Sequence, residues 1–155
     1  MSGRVRLSPL TSRDIPNLLG LIRALAKFEH LPPPDKGAGR RLRAALRAKG
    51  FHGLIARQGG HPVGYALYFF TYSSFLARPT FYLEDLFVLP GARRSGIGGK
   101  LFRACAGIAR KRRCGRMEWA VLDWNRPAHR FYRKEGGRIL SEWQPYRMTL
   151  RKGAF

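Results

Sequence analysis

Arg4 to Leu10 alternates, with Val5 and Leu7 set against Arg4 and Arg6, and so predicts a half-buried strand. Thr11, Asp14 three residues later and Pro16 in the first turn mark the start of a helix. Ile15, Leu18, Leu19, Ile22, Leu25 and Ala26 recur at helical spacing, which carries that helix to about Glu29, before Leu31 and the prolines at 32–34. Asp35 to Lys49 predicts a second, very basic helix with a thin apolar face of Leu42, Ala45 and Leu46. Phe51 to Arg57 and Val63 to Tyr72, joined by Gln58-Gly59-Gly60, read as a β-hairpin. Thr80 to Leu89 is another β-rich run, Pro90 to Gly99 a glycine-and-arginine loop, and Lys100 to about Arg112 a helix. Met117 to Leu122 predicts a strand, Pro127 to about Glu135 a short helix, and Arg138 to Leu150 one or two closing strands. Neither an internal repeat nor a linker interrupts the series, so residues 1–155 are expected to form a single α/β domain around a strand-loop-helix unit.

Composition narrows the class. At 45% hydrophobic residues the chain is globular despite its charge. No apolar run approaches the roughly 20 residues of a membrane span, and no membrane partner is expected. Met1 to Arg6 leads into no apolar signal core, and Cys105 and Cys114 form neither a disulfide scaffold nor a metal-ligand spacing. A reducing, cytoplasmic setting follows as the expectation. The histidines at 30, 52, 61 and 129 have no metal-binding spacing, so no metal is expected. No Gly-x-Ser-x-Gly elbow exists for a serine hydrolase.

The charge is extreme: 30 Lys and Arg against 9 Asp and Glu leave +21 and a pI near 11.5. Such a field attracts any polyanion at low salt, nucleic acid and small anionic cofactors alike. The arginines run from Arg4 to Arg151 rather than gathering in a tail, so charge alone does not choose between these partners.

A strand, a glycine-rich loop and a helix in succession aim backbone N–H groups and a helix dipole at an anion. Here the loop reads Arg93-Arg94-Ser95-Gly96-Ile97-Gly98-Gly99-Lys100. A P-loop ending at Gly99-Lys100 would need glycine at Arg94 and Ser or Thr at Leu101. A dinucleotide fingerprint starting at Gly96 would need glycine at Leu101 too, so both fail. What remains is Arg-x-x-Gly-x-Gly, directly after Leu83-Glu-Asp-Leu-Phe-Val88.

At this point the sequence resembles the GNAT superfamily of acetyl-CoA-dependent N-acetyltransferases. Within it, the chain is most similar to the diamine (spermidine/spermine) and thialysine branch. Leu25-Ala-Lys-Phe-Glu29, Phe69-Phe-Thr-Tyr72, Tyr82-Leu-Glu-Asp-Leu-Phe-Val88, Arg93-x-x-Gly-Ile-Gly98 and Asp123-Trp-Asn-x-Pro127 with Phe131-Tyr132 stand in that branch's order. The resemblance implies a mixed, mostly antiparallel central sheet flanked by helices, and transfer of an acetyl group from acetyl-CoA to a small primary amine. It also implies a homodimer.

By that resemblance Arg93, Arg94, Ser95, Gly96, Ile97, Gly98 and Gly99 hold the pyrophosphate. Glycine is needed where backbone N–H groups must approach phosphate, and an arginine can fork onto its oxygens. Leu86, Phe87 and Val88 supply backbone hydrogen bonds to the pantetheine arm. Asn125 either contacts that arm or serves as an ordinary helix N-cap before Pro127. Tyr132 matches the family's general acid, and a phenol with its ordinary pKa of about 10 keeps a proton to give the departing thiolate.

Glu84 matches the amine-binding glutamate, as anchor or as proton acceptor through water. Asp85 follows it on a strand and should face the other way unless the strand is bulged; an ion pair with an arginine is its alternative role. Glu29 and Asp123 fall where the branch collects a cationic substrate, so four of the nine acids would converge and make a local negative pocket. Beyond about 8 Å physiological salt screens the surrounding positive charge. Phe28 replaces the tyrosine usual in the polyamine members, and Leu31 to Lys49 is prolyl and basic where they are acidic, which leaves the amine open. Two other functions compete: a protein N-acetyltransferase recruited by the basic surface, and a nucleic-acid or ribosome-binding module that keeps the fold without turnover.

Overall fold

The computed structural model describes residues 3–93 and 95–150, and packing divides the chain into two units, Met1–Ala120 and Val121–Phe155. The first unit holds strands β1 (Val5–Pro9), β2 (His52–Gln58), β3 (His61–Ser73), β4 (Arg78–Val88) and β5 (Arg116–Glu118). It also holds helices α1 (Ile15–Phe28), α2 (Ala38–Arg47) and α3 (Ile97–Lys111); the second unit has one helix, α4 (Arg126–Lys134). The sheet runs β1-β2-β3-β4-β5, antiparallel up to β4, with β5 added parallel. A mixed, mostly antiparallel α/β sheet is thus observed as expected.

The two faces of the sheet follow from strand alternation. Ile55, Tyr65, Leu67 and Phe87 join Ile15, Leu18 and Leu21 of α1 in one buried cluster, against which Leu42, Ala45 and Leu46 of α2 pack. The thin apolar face read for α2 is therefore enough to dock it. On the opposite face Tyr68 stacks on Phe81 at 4.4 Å, and Arg112, just past the end of α3, lies 5.3 Å from the Phe70 ring. Leu101, Phe102, Cys105 and Ala109 of α3 are buried.

The entry to α1 is fixed by charge. A short 3-10 turn at Ser12–Asp14 precedes it, and the Asp14 carboxylate accepts hydrogen bonds from the Thr11 backbone (2.8 Å), the Thr11 hydroxyl (3.0 Å) and Arg57. Burial opposes ionisation of Asp14, but these donors together hold its carboxyl below the usual range.

Three sequence expectations are corrected. The helix read from Lys100 begins at Ile97, because Gly96 at φ +74° turns the chain directly into it and brings Gly98 and Gly99 into the first turn. The strand read from Met117 to Leu122 is only Arg116–Glu118, since it pairs with Thr80, Phe81 and Tyr82 of β4 and no further. The closing strands of Arg138 to Leu150 do not form. Strand composition without a ladder partner gains nothing from cross-strand pairing, and Trp143, Tyr146 and Met148 stay exposed.

Candidate active site

β4 carries a bulge at its centre, and the bulge decides which side chains meet. Leu67 pairs with Asp85 and Phe69 with Tyr82, so Tyr82 and Asp85 share a face although they are three residues apart. Glu84 is the additional residue. The expected opposition of Glu84 and Asp85 is thereby lifted. The charges of both act on the buried Tyr65, as does that of Glu29 at the end of α1.

These three carboxylates have no ion-pair partner among the described residues, in a chain with 30 cations. Three other acids are matched by arginines, Asp14 by Arg57, Asp35 by Arg41 and Glu118 by Arg116. Asp85 is held by Tyr65 instead, whose hydroxyl donates to Oδ2 at 3.0 Å. The arginine ion pair considered for Asp85 is therefore not formed. Burial raises Asp85 to about 6; Tyr65 opposes that rise, and the negative charges of Glu84 and Glu29 add to it. Burial also raises Glu29 above the usual carboxylate range. Tyr65 is missing from the sequence-derived set. Its one signal is a tyrosine in an otherwise apolar strand, where a buried hydroxyl requires a partner.

The glycine loop lies at the end of the same strand. Gly96 caps α3 in the left-handed conformation, and the N–H groups of Ile97, Gly98 and Gly99 have no acceptor within the helix. Ser95 Oγ donates to the Ala92 carbonyl at 2.6 Å, tightening the turn. Arg93 folds back: its Nε donates to the Val88 carbonyl at 2.9 Å, and its guanidinium lies 4.8 Å from the Phe28 ring and 5.6 Å from that of Phe87. The terminal nitrogens of its fork are left to meet an anion. Arg94 lies outside the described residues.

Beyond Tyr82, β4 has no β5 partner, so the Leu83–Val88 edge is unpaired by any strand on that side among the described residues. A backbone edge of this kind accepts an extended ligand as an added strand. The side chain of Phe87 is core, and those of Leu86 and Val88 are half-buried.

Asp123, Asn125 and Tyr132 belong to the second unit. Asp123 is exposed there, and the Asn125 side chain accepts the Ala128 N–H at 3.3 Å, so the N-cap role is realised. Tyr132 stands on α4 with its ring 5.1 Å from that of Phe131.

The profile of the acetyltransferase (GNAT) family matches residues 20–137. The chain belongs to the GNAT family. It is 38% identical over 151 residues to the thialysine N-epsilon-acetyltransferase of Sus scrofa, covering 86% of each protein. It is 44% identical over 86 residues to the L-ornithine N5-acetyltransferase NATA1 of Arabidopsis thaliana, covering 56% of this chain and 38% of that protein. The crystal structure of a probable acetyltransferase superposes with a TM-score of 0.84 at 21% identity, covering 95% of this chain and 99% of that one. This GNAT protein is accordingly an acetyl-CoA-dependent N-acetyltransferase. No helix among the described residues is long and apolar enough to cross a membrane.

The loop and strand edge fit the pyrophosphate and amide-bearing arm of coenzyme A. An αL glycine opens the loop, and helix N–H groups carry the positive end of the α3 dipole. Gly96→Ala puts a Cβ at φ +74°, which costs about 1–2 kcal/mol even though its space is open. The expected result is a melting temperature lower by roughly 2–8 °C and a raised KM for acetyl-CoA. Calorimetry and initial rates at varied acetyl-CoA check both, and an unchanged KM counts against this placement of the pyrophosphate.

Proposed function

We propose that this enzyme acetylates the side-chain or terminal primary amine of a small cationic molecule, of the lysine-like or polyamine class, by direct attack on acetyl-CoA. The observation that carries the reading is the group of three carboxylates without arginine partners, Glu29, Glu84 and Asp85, in a chain of charge +21. The names of the relatives, thialysine and ornithine N-acetyltransferases, favour an amino acid with a side-chain amine. Phe28, which offers a ring and no hydroxyl, fits an aliphatic stem as well as it fits a polyamine.

Coenzyme A supplies an activated acetyl thioester. Arg93, Arg94 and Ser95 to Gly99 bind its pyrophosphate, and the backbone of Leu86 to Val88 and the side chain of Asn125 bind the pantetheine. Glu84 meets the reacting amine, while Glu29, Asp85 and Asp123 collect its positive charge beside Phe28. The ammonium gives up one proton, the neutral nitrogen forms the new C–N bond, and the C–S bond breaks. Tyr132 delivers a proton to the departing sulfur. Residues 1–155 work as one catalytic domain in the cytoplasm. A homodimer is part of the same reading, supported by the family resemblance and by the exposed apolar side chains between Ile139 and Leu150.

Free-thiol release from acetyl-CoA, measured over a panel of spermidine, putrescine, thialysine, lysine, ornithine and simple monoamines, tests this directly. Turnover is expected on an amine carrying a second charge or an amino-acid head. Glu84→Gln should lower kcat/KM for that amine by about 10-fold or more, the loss expected when a charge-assisted contact to the ammonium is removed. Acetylation of a protein in a lysate with no turnover of any free amine would overturn the small-amine assignment.

A further inference from the structure

Tyr65 has no role in the reaction described so far, yet it is hydrogen-bonded to Asp85. Tyr65 has no exposed surface, and its ring is part of the cluster that α1 and the sheet build together. Its hydroxyl could have been a liability in that core, yet it ends on a carboxylate across the β3–β4 ladder at 3.0 Å. Burial first, and then the charge of Asp85, push the phenol far above its ordinary pKa, so it stays protonated and acts as a donor.

Among the described residues of the first unit, the other groups acting on Asp85 are negative. Glu84 of β4 and Glu29 at the end of α1 are the charges acting on it. Ile55 of β2, Leu18 and Leu21 of α1, and Leu42, Ala45 and Leu46 of α2 bring only apolar groups to the cluster around Tyr65. Arg93 is held over Phe28 and Phe87 by its bond to Val88. The hydrogen bond from Tyr65 is therefore the interaction that favours the ionised carboxyl, against burial and two like charges.

We propose that Tyr65 is a positioning residue that holds Asp85 ionised and turned to the α1 side of the sheet, and that Asp85 accepts the proton of the incoming ammonium. Glu84, exposed on the bulge, is then the anchor of the amine. The proton balance is simple. R–NH3+ and the Asp85 carboxylate give R–NH2 and the carboxylic acid; the second N–H proton, released as the C–N bond forms, offsets the one delivered to sulfur. Asp85 returns its proton to water. A carboxyl that titrates near 6 suits this task at neutral pH better than an ordinary one, because proton acceptance improves as the acceptor's pKa approaches the working pH. This inference rests on the amine-site reading above.

The sign of the test follows from the geometry. Activity requires the ionised form, so kcat/KM should fall as pH drops through about 6. Tyr65→Phe keeps the ring and removes only the donor that favours ionisation, so the acidic limb should move up by about one pH unit. In an Asp85→Asn background the limb should be absent and Tyr65→Phe should change nothing further. A purely structural Tyr65 would lower stability and leave the limb where it was, and that outcome overturns the proposal. A limb that persists in Asp85→Asn overturns it as well, and this second variant keeps the question open to test even if Tyr65→Phe folds poorly. Titration of the aspartate carboxyl carbons by NMR, without substrate, reads the Tyr65–Asp85 coupling independently of turnover. Full turnover in both Glu84→Gln and Asp85→Asn, with that coupling intact, would instead remove the amine-site reading itself.

Discussion

Tyr132→Phe is expected to lower kcat by about 10²–10⁴-fold, the range over which positioned acid–base groups act, with KM for both substrates little changed. The substitution deletes one oxygen from a half-buried ring that packs on Phe131, so α4 should fold as before. On the proposed mechanism, what disappears is the donor for the thiolate, whose expulsion is costly unless it leaves as a thiol. Thiol release at saturating acetyl-CoA and amine measures the effect, and the melting temperature of the variant serves as its control. A kcat within about threefold of the parent would mean that sulfur departs without Tyr132.

The largest effect on stability is expected at the other face of the sheet. Phe81 is 0% exposed, stacked on Tyr68 at 4.4 Å and edge-on to Phe70 at 5.7 Å. Phe81→Ala removes that ring from a wall with nothing to replace it, at a cost of about 3–5 kcal/mol. For a chain of this length the melting temperature should drop by roughly 6–20 °C. Phe75, 99% exposed in the β3–β4 turn, is the matched comparison, and Phe75→Ala should leave the transition almost unmoved. A small loss at Phe81 would mean that α3 and the sheet collapse onto the space. Because Phe81 pairs with Met117 in the last ladder, calorimetry and activity together would also report whether β5 depends on it.

How far the sequence alone reaches can be judged at particular residues. Ile15, Leu18 and Ala26 were legible because helical spacing and burial are the same fact seen twice: every third or fourth position faces the sheet. The glycine loop was legible because few residue types tolerate φ +74° before a helix, and Gly96 sits where that turn is needed. The hairpin of β2 and β3 followed from its alternation and its Gln58-Gly59-Gly60 turn. Arg138 to Leu150 misled for the opposite reason. A strand is completed by a partner, and alternation within one segment carries no information about whether a partner is there.

The site shows the same division more sharply. The family resemblance was sufficient to nominate Glu29, Glu84 and Asp85 for the amine site. It could not bring them together, because two adjacent residues on a regular strand face apart. One additional residue in β4, set against Leu67 and Tyr68 of β3, breaks that alternation and puts Asp85 on the face of Leu67 and Tyr65, with Glu84 next to it on the bulge. Tyr65 meets Asp85 only through the same cross-strand register, twenty residues away in the chain. The sequence by itself determined the helices, most of the strands, the glycine loop and the family, all of which depend on residue types at short spacing. The tertiary structure alone decided which acids stay without a cation and which hydroxyl holds Asp85, because burial and pairing are set by strands that meet far apart in the chain.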